Sequence, residues 1–460
     1  MTKSTIVVDS ARGWWIVFAS FMVHFIMDGI TYSMAQVFLE PMRKNLSLSR
    51  AAVSSIFSIL PAITLGAGPI ASVLINMFGC RAVAIIGTCI ASFGFFLSYW
   101  WANIWFYYVT IGIVGGLGFA LMYLAAIVSV NKQFKLKLST AMGIAVCGSG
   151  VGTFVLSYIM DGIVNIRAWV TYPYGLLIEA GIITFGVVCG LLLIPKEHEI
   201  REENVSNTLM QSNGEANPVV ENDQVDTKST SKSFFKQIRD EIDLNLFRDV
   251  AFNLFVFSNF LTSLGFNVIY NFADDLASDA KVVKDLRTYI VMSIGLSNIV
   301  GRIVIGFLDD RKLVNRLLLF ILTLLLSGIA TIVAPLCGSS VISHIGYASV
   351  FGFFSGGYVT LTTIVLGDII GVEKISDGSG ILFFFVGVAT AIGTPIVGAM
   401  RDAFSHFARP FFWPYVIFGV CTVVSGILLF AIPLLQKNKR STKKTPTVED
   451  SENTSNQVKS

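Results

Sequence analysis

Long apolar runs alternate with short polar segments along most of the chain. Each run has about 20 or more residues, the length that a helix needs to cross the hydrocarbon layer of a bilayer. The predicted spans, numbered from the N-terminus, are 13–38, 51–75, 81–101, 105–130, 138–161, 168–194, 248–273, 286–308, 313–336, 341–367, 377–401 and 410–435. The pattern therefore predicts an all-α, multi-pass membrane protein with twelve transmembrane helices.

Two polar segments interrupt this rhythm, one between spans six and seven and one after span twelve. Both are rich in Glu, Asn, Ser, Thr and Lys, and cannot bury enough apolar surface to fold alone. The predicted organisation is an N-terminal segment 1–12, a six-helix half 13–194, a largely disordered linker 195–247, a second six-helix half 248–435 and a disordered tail 436–460. This division predicts two pseudo-symmetric halves.

Composition agrees with residence in a bilayer and narrows the function classes. Hydrophobic residues make up 54% of the chain and charged residues only 14%, where soluble domains carry about 25%. A net charge of +3, without a basic run interleaved with aromatic residues, argues against a nucleic-acid partner. The six cysteines lack C-x-x-C spacing and are predicted to be buried small hydrophobes: Cys80, Cys89, Cys147, Cys189, Cys337 and Cys421.

Enzyme chemistry is not expected. The glycine clusters at 112–118 and 148–152 superficially resemble phosphate-binding loops, but neither follows a strand nor ends in Lys-Ser/Thr. They are predicted to let helices approach closely instead. The sequence has no H-E-x-x-H or G-x-S-x-G pattern, and we expect neither a cofactor nor a metal site.

The distribution of Lys and Arg predicts the orientation. Basic residues concentrate in the even-numbered connections, the linker and the C-terminal tail, with Arg81, Lys132, Lys135, Lys137, Arg311 and Lys312 in the connections. Because cytoplasmic loops carry the excess of positive charge, both termini are expected in the cytoplasm.

Two short turns in equivalent positions of the two halves repeat one motif. The chain reads Gly306-Phe307-Leu308-Asp309-Asp310-Arg311 after span eight, and Ser72 to Arg81, including Asn76 and Gly79, after span two. Both resemble the G-x-L-A-D-R loop of the major facilitator superfamily, although Asn76 replaces the acid and Ser72 the first Gly. The resemblance implies a conformational role for Asn76, Gly79, Arg81, Gly306, Asp310 and Arg311. The alternative is a generic turn with a membrane-flanking Arg. A fold of two such halves rocks around a central cavity.

Ionisable residues within the spans are the best functional markers, because an unpartnered charge in a bilayer costs several kcal/mol. Span one carries His24 and Asp28 four residues apart on one helical face, which Ser20, Thr31 and Tyr32 extend. This stripe indicates a cavity-lining face where His24 or Asp28 exchanges a proton or orients a substrate. Alternatively, the two form a local structural pair, or Asp28 caps a helix break before Gly29.

Span eight carries Asn298 and Arg302, and span six carries Glu179. Since an arginine keeps its proton in proteins, Arg302 suits capture of a carboxylate; the alternative is an ion pair with Asp28 or Glu179. Glu179 is either a proton site or a buried neutral carboxyl group. The predicted substrate-binding residues are thus Arg302, Asn298, Asp28 and Tyr32, and the proton-coupling candidates are Asp28, His24 and Glu179.

Two further segments carry a family resemblance. Asp9 to Val17, with Gly13 and Trp14, is similar to the D-G-G-W-G-W-V-V signature of the monocarboxylate transporter family. The segment that opens span five, with Lys135, Lys137 and Gly143, resembles Y-F-x-K-R-R-x-L-A-x-G-I-A of the same family.

The resemblance implies transport of monocarboxylates, often with a proton, or in other branches of aromatic amino acids, iodothyronines, creatine or carnitine. It also implies that proton-coupled members use a Lys in span one and an Asp and an Arg in span eight. Here Arg302 matches the Arg, Asn298 stands at the Asp position and Tyr32 at the Lys position. Because Asn cannot titrate, the usual proton relay is incomplete.

We therefore expect a secondary-active or facilitative transporter of monocarboxylates, or of related small organic acids and zwitterions, that works by alternating access. The alternative is a transporter-like sensor or membrane interaction protein that carries no solute. The resemblance further implies a plasma-membrane location and allows a single-span immunoglobulin-like glycoprotein as a partner.

Overall fold

A computed structural model of the chain describes residues 11–166, 172–193 and 244–435, except 405 and 408. Residues 1–10, the tail 436–460 and most of the predicted linker lie outside the described residues. Within them the chain is helical, with no strand. The helices of the first half are Ala11–Leu46, Arg50–Gly66, Gly68–Leu97, Ile104–Tyr107, Gly116–Gln133, Leu138–Asp161, Tyr172–Thr184 and Gly186–Leu192, with π-helical stretches at Tyr108–Gly115 and Gly162–Ile166.

The second half repeats this arrangement. Its helices are Val250–Asp279, Lys284–Asp310, Arg316–Val333, Val341–Ile370, Ile375–Ala403 and Phe412–Leu428, which are spans seven to twelve. In the described part, eleven helices are long and apolar enough to cross a membrane.

Span two is built from two helical segments, which accounts for the twelfth crossing. The helix Gly68–Leu97 is interrupted at Gly79, where φ is 80° and ψ is 161°. Successive contacts with span eleven pair Gly66 with Gly387, Gly68 with Gly380 and Asn76 with Asp377. The chain from 66 to 76 therefore continues in one direction, antiparallel to span eleven. Gly79 then begins span three. The twelve-helix prediction is confirmed, and only Gly adopts this backbone conformation without strain.

Left-handed turns recur at equivalent places in the two halves. Ser47 and Lys281, with φ of 53° and 60°, lie in the turns after spans one and seven. Gly79 and Lys312, with φ of 80° and 54°, lie in the turns after spans two and eight. The internal repeat seen in the sequence is thus present in the backbone geometry of the connections.

Glycines bring helices within each half into backbone contact. A Cβ atom on Gly148 or Gly152 of span five would collide with the carbonyl oxygen of Phe21 or Phe25 in span one. In a bilayer, where the surrounding lipid is as apolar as the side chains, such close packing is a main source of helix association. The structural interpretation of the 148–152 cluster therefore fits the packing.

In the described part of the chain, the closest contacts between the two halves lie towards one end of the helices. Along the face that spans five and eight share, a Cβ on Gly306 would collide with the Ser139 carbonyl oxygen, and one on Gly143 would lie 2.5 Å from the Arg302 oxygen. Further along the same faces, a Cβ on Gly295 would meet nothing within 4 Å, and Tyr158 is 80% exposed. The faces therefore diverge from what we call the clamped end towards an open end.

All six cysteines are free thiols. Cys80, Cys147 and Cys189 are buried as predicted, and Cys337 and Cys421 are partly buried. Cys89 is exposed, so the prediction is wrong for that residue. Cys89 lies on the outer side of span three, where it lines a groove against span six.

Replacing Gly152 by Ala should destabilise the protein by about 1–3 kcal/mol, because the new methyl group overlaps the span-one backbone. Thermal unfolding of the purified protein in detergent measures the effect. Gly181→Ala, in span six, is the matched control, since its Cβ would have no neighbour within 4 Å. Equal unfolding temperatures for the two variants would contradict the role of Gly152.

Candidate functional site

The polar stripe of span one is an ion-pairing face within an unbroken helix. His24 Nδ1 and Asp28 Oδ2 lie 3.3 Å apart. His24 is buried, whereas 15% of the Asp28 side chain is exposed. The helix Ala11–Leu46 continues through Gly29, so the break that Asp28 was to cap does not exist. His24 and Asp28 therefore form the local pair, and the Asp28 carboxylate is still partly accessible.

Neighbours of His24 leave its second ring nitrogen free among the described residues. The ring packs edge-on against Tyr123 of span four, with centroids 5.2 Å apart. His24 Nε2 and the hydroxyl group of Ser20, one turn away, are buried without a hydrogen-bond partner in the described part. The Nε2 edge of His24 is therefore open to a further hydrogen-bond partner.

Arg302 of span eight is buried at the crossing with span five. Its Nη1 donates to the carbonyl oxygen of Val146 and to Ser149 Oγ, the latter at 2.6 Å. No carboxylate of the described residues lies within 4 Å of the guanidinium, although Asp28 and Glu179 are both described. The ion pair with either acid, the alternative to substrate binding, is therefore not formed.

The Asn298 side chain is hydrogen-bonded to a helix of its own half. Its Nδ2 donates to Ser355 Oγ at 3.1 Å and to the Gly352 oxygen at 3.3 Å, both in span ten. Asn259 of span seven similarly accepts a hydrogen bond of 3.0 Å from the Tyr358 hydroxyl group. These amides tie helices of the second half together. The side chains of Asn267 and Asn271 lie outside the described residues.

Two tyrosines of the first half lie close enough to interact electrostatically with both Asp28 and Arg302. Tyr32 interacts electrostatically with Asp28 of its own span and with Tyr270 and Arg302 of the other half. Tyr123 interacts with Asp28, Tyr32, Arg302 and Tyr358. Tyr32 is 56% exposed although it lies in the middle of span one. Since its electrostatic partners belong to both halves, Tyr32 lies on the side of span one that faces the second half.

Glu179 stands apart from these residues. It is fully buried, and neither carboxylate oxygen has a hydrogen-bond partner in the described part. No interaction links it to Asp28 or Arg302. The structure therefore brings together Asp28, His24, Tyr32 and Arg302, but not Glu179.

The second copy of the turn motif clamps span eight to span five. The Asp310 carboxylate accepts hydrogen bonds from the backbone N–H groups of Ser139 and Thr140, at 3.0 and 2.8 Å. These are N–H groups of the first turn of span five, which have no partner within the helix. Asp309 accepts a hydrogen bond from the Ser139 hydroxyl group and pairs with Arg316 at 2.7 Å.

The same network extends to span ten. Arg316 donates from Nη1 to both oxygens of Asp368, at 3.0 and 2.9 Å. Gly306 lets the backbones of spans five and eight touch. Arg311 does not join the network, because its guanidinium lies 4.8 Å above the Phe307 ring.

The first copy makes an equivalent contact with the acid on the opposite helix. Asn76 Nδ2 and Ser72 Oγ donate to Asp377 Oδ1 of span eleven, at 2.6 and 2.8 Å. The amide at position 76 is thus a donor where the motif has an acceptor. Arg81 donates to the Leu193 oxygen at 3.1 Å and holds the end of span six.

The two family signatures meet in space. Trp14 packs edge-on against Phe134 at 5.4 Å, and a Cβ on Gly13 would lie 2.9 Å from the Phe134 ring. Gly143 contacts the Arg302 backbone. Lys135 and Lys137 are exposed in the connection at the clamped end. The signature glycines and aromatic residues therefore pack helices, and the lysines face the surface.

Several residues of the site were not predicted from the sequence. They are Tyr123, Ser139, Thr140, Ser149, Tyr270, Asp309, Arg316, Tyr358, Asp368 and Asp377. Asp377 could have been found from the internal repeat. The turn after span eight contacts the start of span five, and span eleven is the equivalent of span five. The acid that is missing at Asn76 could therefore be sought at the start of span eleven. No sequence feature pointed to Tyr123, Tyr270 or Tyr358, because they lie inside ordinary apolar runs.

Comparison with known proteins agrees with this architecture. Residues 17–272 and 254–456 match the Major Facilitator Superfamily. Monocarboxylate transporter 12 of Homo sapiens is 26% identical over 451 residues, 95% of this chain and 84% of that protein. Monocarboxylate transporter 9 of Gallus gallus is 27% identical, over 93% of this chain and 94% of that protein. Monocarboxylate transporter 1 of Mus musculus is 25% identical, over 92% and 85%.

Solved structures show the same fold. The proton:xylose symporter XylE, bound to 6-bromo-6-deoxy-D-glucose, superposes with a TM-score of 0.66 and 15% identity, over 92% of this chain and 96% of that one. The transporter FucP, in the outward conformation, gives 0.62 and 15%, over 91% and 99%.

The chain therefore belongs to the major facilitator superfamily, whose members are multi-pass membrane transporters. Within that superfamily it is related to the monocarboxylate transporters, as the two signatures indicated. The predicted fold and family are confirmed, and the protein is a transporter, not an enzyme.

Asn76→Asp should lower the unfolding temperature of the purified protein, with a loss of about 1–2 kcal/mol, because two carboxylates then face each other at the clamped end. The double variant Asn76→Asp with Asp377→Asn should recover most of this loss, since the donor and the acceptor exchange places.

Asn103→Asp is the matched control. Asn103 caps the helix after span three with an exposed side chain, and an aspartate serves there equally well. A double variant as unstable as the sum of its single variants would contradict the exchange of donor and acceptor.

Proposed function

We propose that this transporter carries small monocarboxylates, or related organic acids and zwitterions, through the tyrosine-lined cavity between its halves. The main support is that Asp28 of the first half and Arg302 of the second both interact electrostatically with Tyr32 and Tyr123. A cavity with one fixed cation and one carboxylate on opposite walls matches a small solute that bears a carboxylate.

Arg302 supplies the anion site. Its guanidinium is permanently charged, buried and free of any carboxylate within the described part. A carboxylate accepts paired hydrogen bonds from a guanidinium, which gives both charge neutralisation and a fixed orientation. The phenol groups of Tyr32 and Tyr123 add donors along the path to Asp28.

Asp28 supplies the second half of the recognition. Its carboxylate is partly exposed and has His24 as its hydrogen-bond partner. It can pair with the ammonium group of a zwitterion, or take up a proton when the substrate is a simple acid. Because Asn298 cannot titrate, we place any proton coupling on the His24–Asp28 dyad rather than on span eight.

We place the clamped end at the cytoplasm. The turns with Arg81, Lys135, Lys137 and Arg311 lie at this end, and cytoplasmic connections carry the positive excess. The cavity is then open to the outside, and alternating access consists of opening the two clamps while the open end closes. The fold and the relatives favour a carrier over a non-transporting sensor, and we expect it at the plasma membrane.

Arg302→Ala should abolish uptake, because it removes the fixed cation of the cavity. We would measure uptake of radiolabelled L-lactate and γ-aminobutyrate into proteoliposomes with the full-length chain. Arg43→Ala is the matched control, since Arg43 forms an exposed ion pair with Glu40 far from the cavity. Native uptake by a well-folded Arg302→Ala protein would overturn the anion site.

Asp28→Asn should separate the two substrate classes. The amide keeps the size of the side chain but loses the negative charge, so γ-aminobutyrate uptake should fall by about tenfold or more. L-Lactate uptake should persist but lose any stimulation by an inward proton gradient.

Glu40→Gln, an exposed acid at the far end of span one, is the control for loss of charge. An Asp28→Asn protein that carries γ-aminobutyrate normally would contradict a carboxylate partner for the ammonium group. An unchanged response of lactate uptake to a proton gradient would contradict proton exchange at Asp28.

A further inference from the structure

One edge of the Arg302 guanidinium is held by the opposite half of the protein. Nη1 donates to the Val146 carbonyl oxygen and to Ser149 Oγ, at 2.6 Å for Ser149. Both acceptors belong to span five, and Arg302 belongs to span eight. Two acceptors on one nitrogen fix the plane of the guanidinium group, because rotation about its terminal bonds would break one of the two hydrogen bonds.

The Nε group of the same side chain has no protein partner. This Nε group is buried and lacks an acceptor among the described residues. Within that part of the chain, Nη1 makes all the hydrogen bonds of the guanidinium. A buried donor of a charged group is costly to leave unpaired. Since a carboxylate binds a guanidinium through two neighbouring N–H groups, the Nε edge is the one available to an anion.

Span five packs closely against span eight at this point. Gly143 lies against the Arg302 backbone, where a Cβ would be 2.5 Å from the carbonyl oxygen. Ile299, one turn from Arg302, contacts Gly150 beside Ser149, where a Cβ would lie 2.8 Å from the isoleucine side chain. Ser149 is itself 7% exposed. Its hydroxyl group is thus held at a fixed place relative to the backbone of span eight.

We propose that Ser149 is a positioning residue for anion binding, an inference that rests on the proposed role of Arg302. By holding Nη1, Ser149 and the Val146 carbonyl group present the Nε edge of the guanidinium to the substrate carboxylate. The bound anion then lies on an arginine that is already bonded to the other half. Its affinity depends on a residue that need not touch it.

Ser149→Ala should raise the KM for transport by about tenfold, the effect of losing one hydrogen bond to a charged group, with little change in maximal rate. Ser149→Thr, which keeps a hydroxyl group, should restore the native KM. The measurement uses the full-length chain in proteoliposomes with L-lactate and γ-aminobutyrate as probes. A residue that only packed helices would lower the amount of folded protein and the maximal rate instead.

Thr153→Val is the matched control. Thr153 lies one turn from Ser149, and its hydroxyl group donates to the Ser149 carbonyl oxygen within the same helix. Its loss should leave KM unchanged. In an Arg302→Lys background, which lacks the guanidinium, Ser149→Ala should have no further effect on KM.

The outcomes separate the two proposals. If Arg302→Ala abolishes uptake while Ser149→Ala keeps the native KM, the positioning role fails and the proposed function stands. The positioning role also fails if Ser149→Thr does not restore KM, or if Thr153→Val raises KM equally. If the native protein carries neither probe, or if Arg302→Ala transports normally, both proposals fail together.

Discussion

A guanidinium group between membrane helices cannot give up its charge, and the centre of this protein is arranged around that constraint. Arg302 lies where spans five and eight cross, so its hydrogen bonds necessarily reach the opposite half. Glycine at position 143 permits the backbones to meet there. The same residue therefore lies at the contact between the halves and in the wall of the proposed substrate cavity. In the proposed mechanism, substrate binding and the motion of the halves therefore involve the same residue.

The clamps at the end of the molecule work by a different principle, hydrogen bonds from polar donors of the first half to carboxylates of the second. Asp310 receives backbone N–H groups that span five leaves unpaired, and Asp377 receives side-chain donors from span two. Neither contact buries a large apolar surface. Contacts of this kind can open and close without the cost of exposing a hydrophobic core.

Fold and family were largely predictable because burying charge and exposing apolar surface are both expensive. Apolar runs located the spans, and the rarity of ionisable residues within them singled out His24, Asp28 and Arg302. Glu179 carried the same signal, yet it lies away from the cavity, because rarity alone does not tell which side of a helix faces water. Tyr123, Tyr270, Tyr358 and Ser149 escaped prediction, since such residues are ordinary within spans and are distinguished only by their neighbours in the folded protein.

The distribution of charge between the clamps has a consequence for the history of the repeat. Both acceptors, Asp310 and Asp377, belong to the second half, whereas their donors Ser72, Asn76, Ser139 and Thr140 all belong to the first. Two copies of the first half would set donors against donors, and two copies of the second would set acids against acids. The halves have become complementary, so neither can any longer substitute for the other, although their backbones still show a common plan.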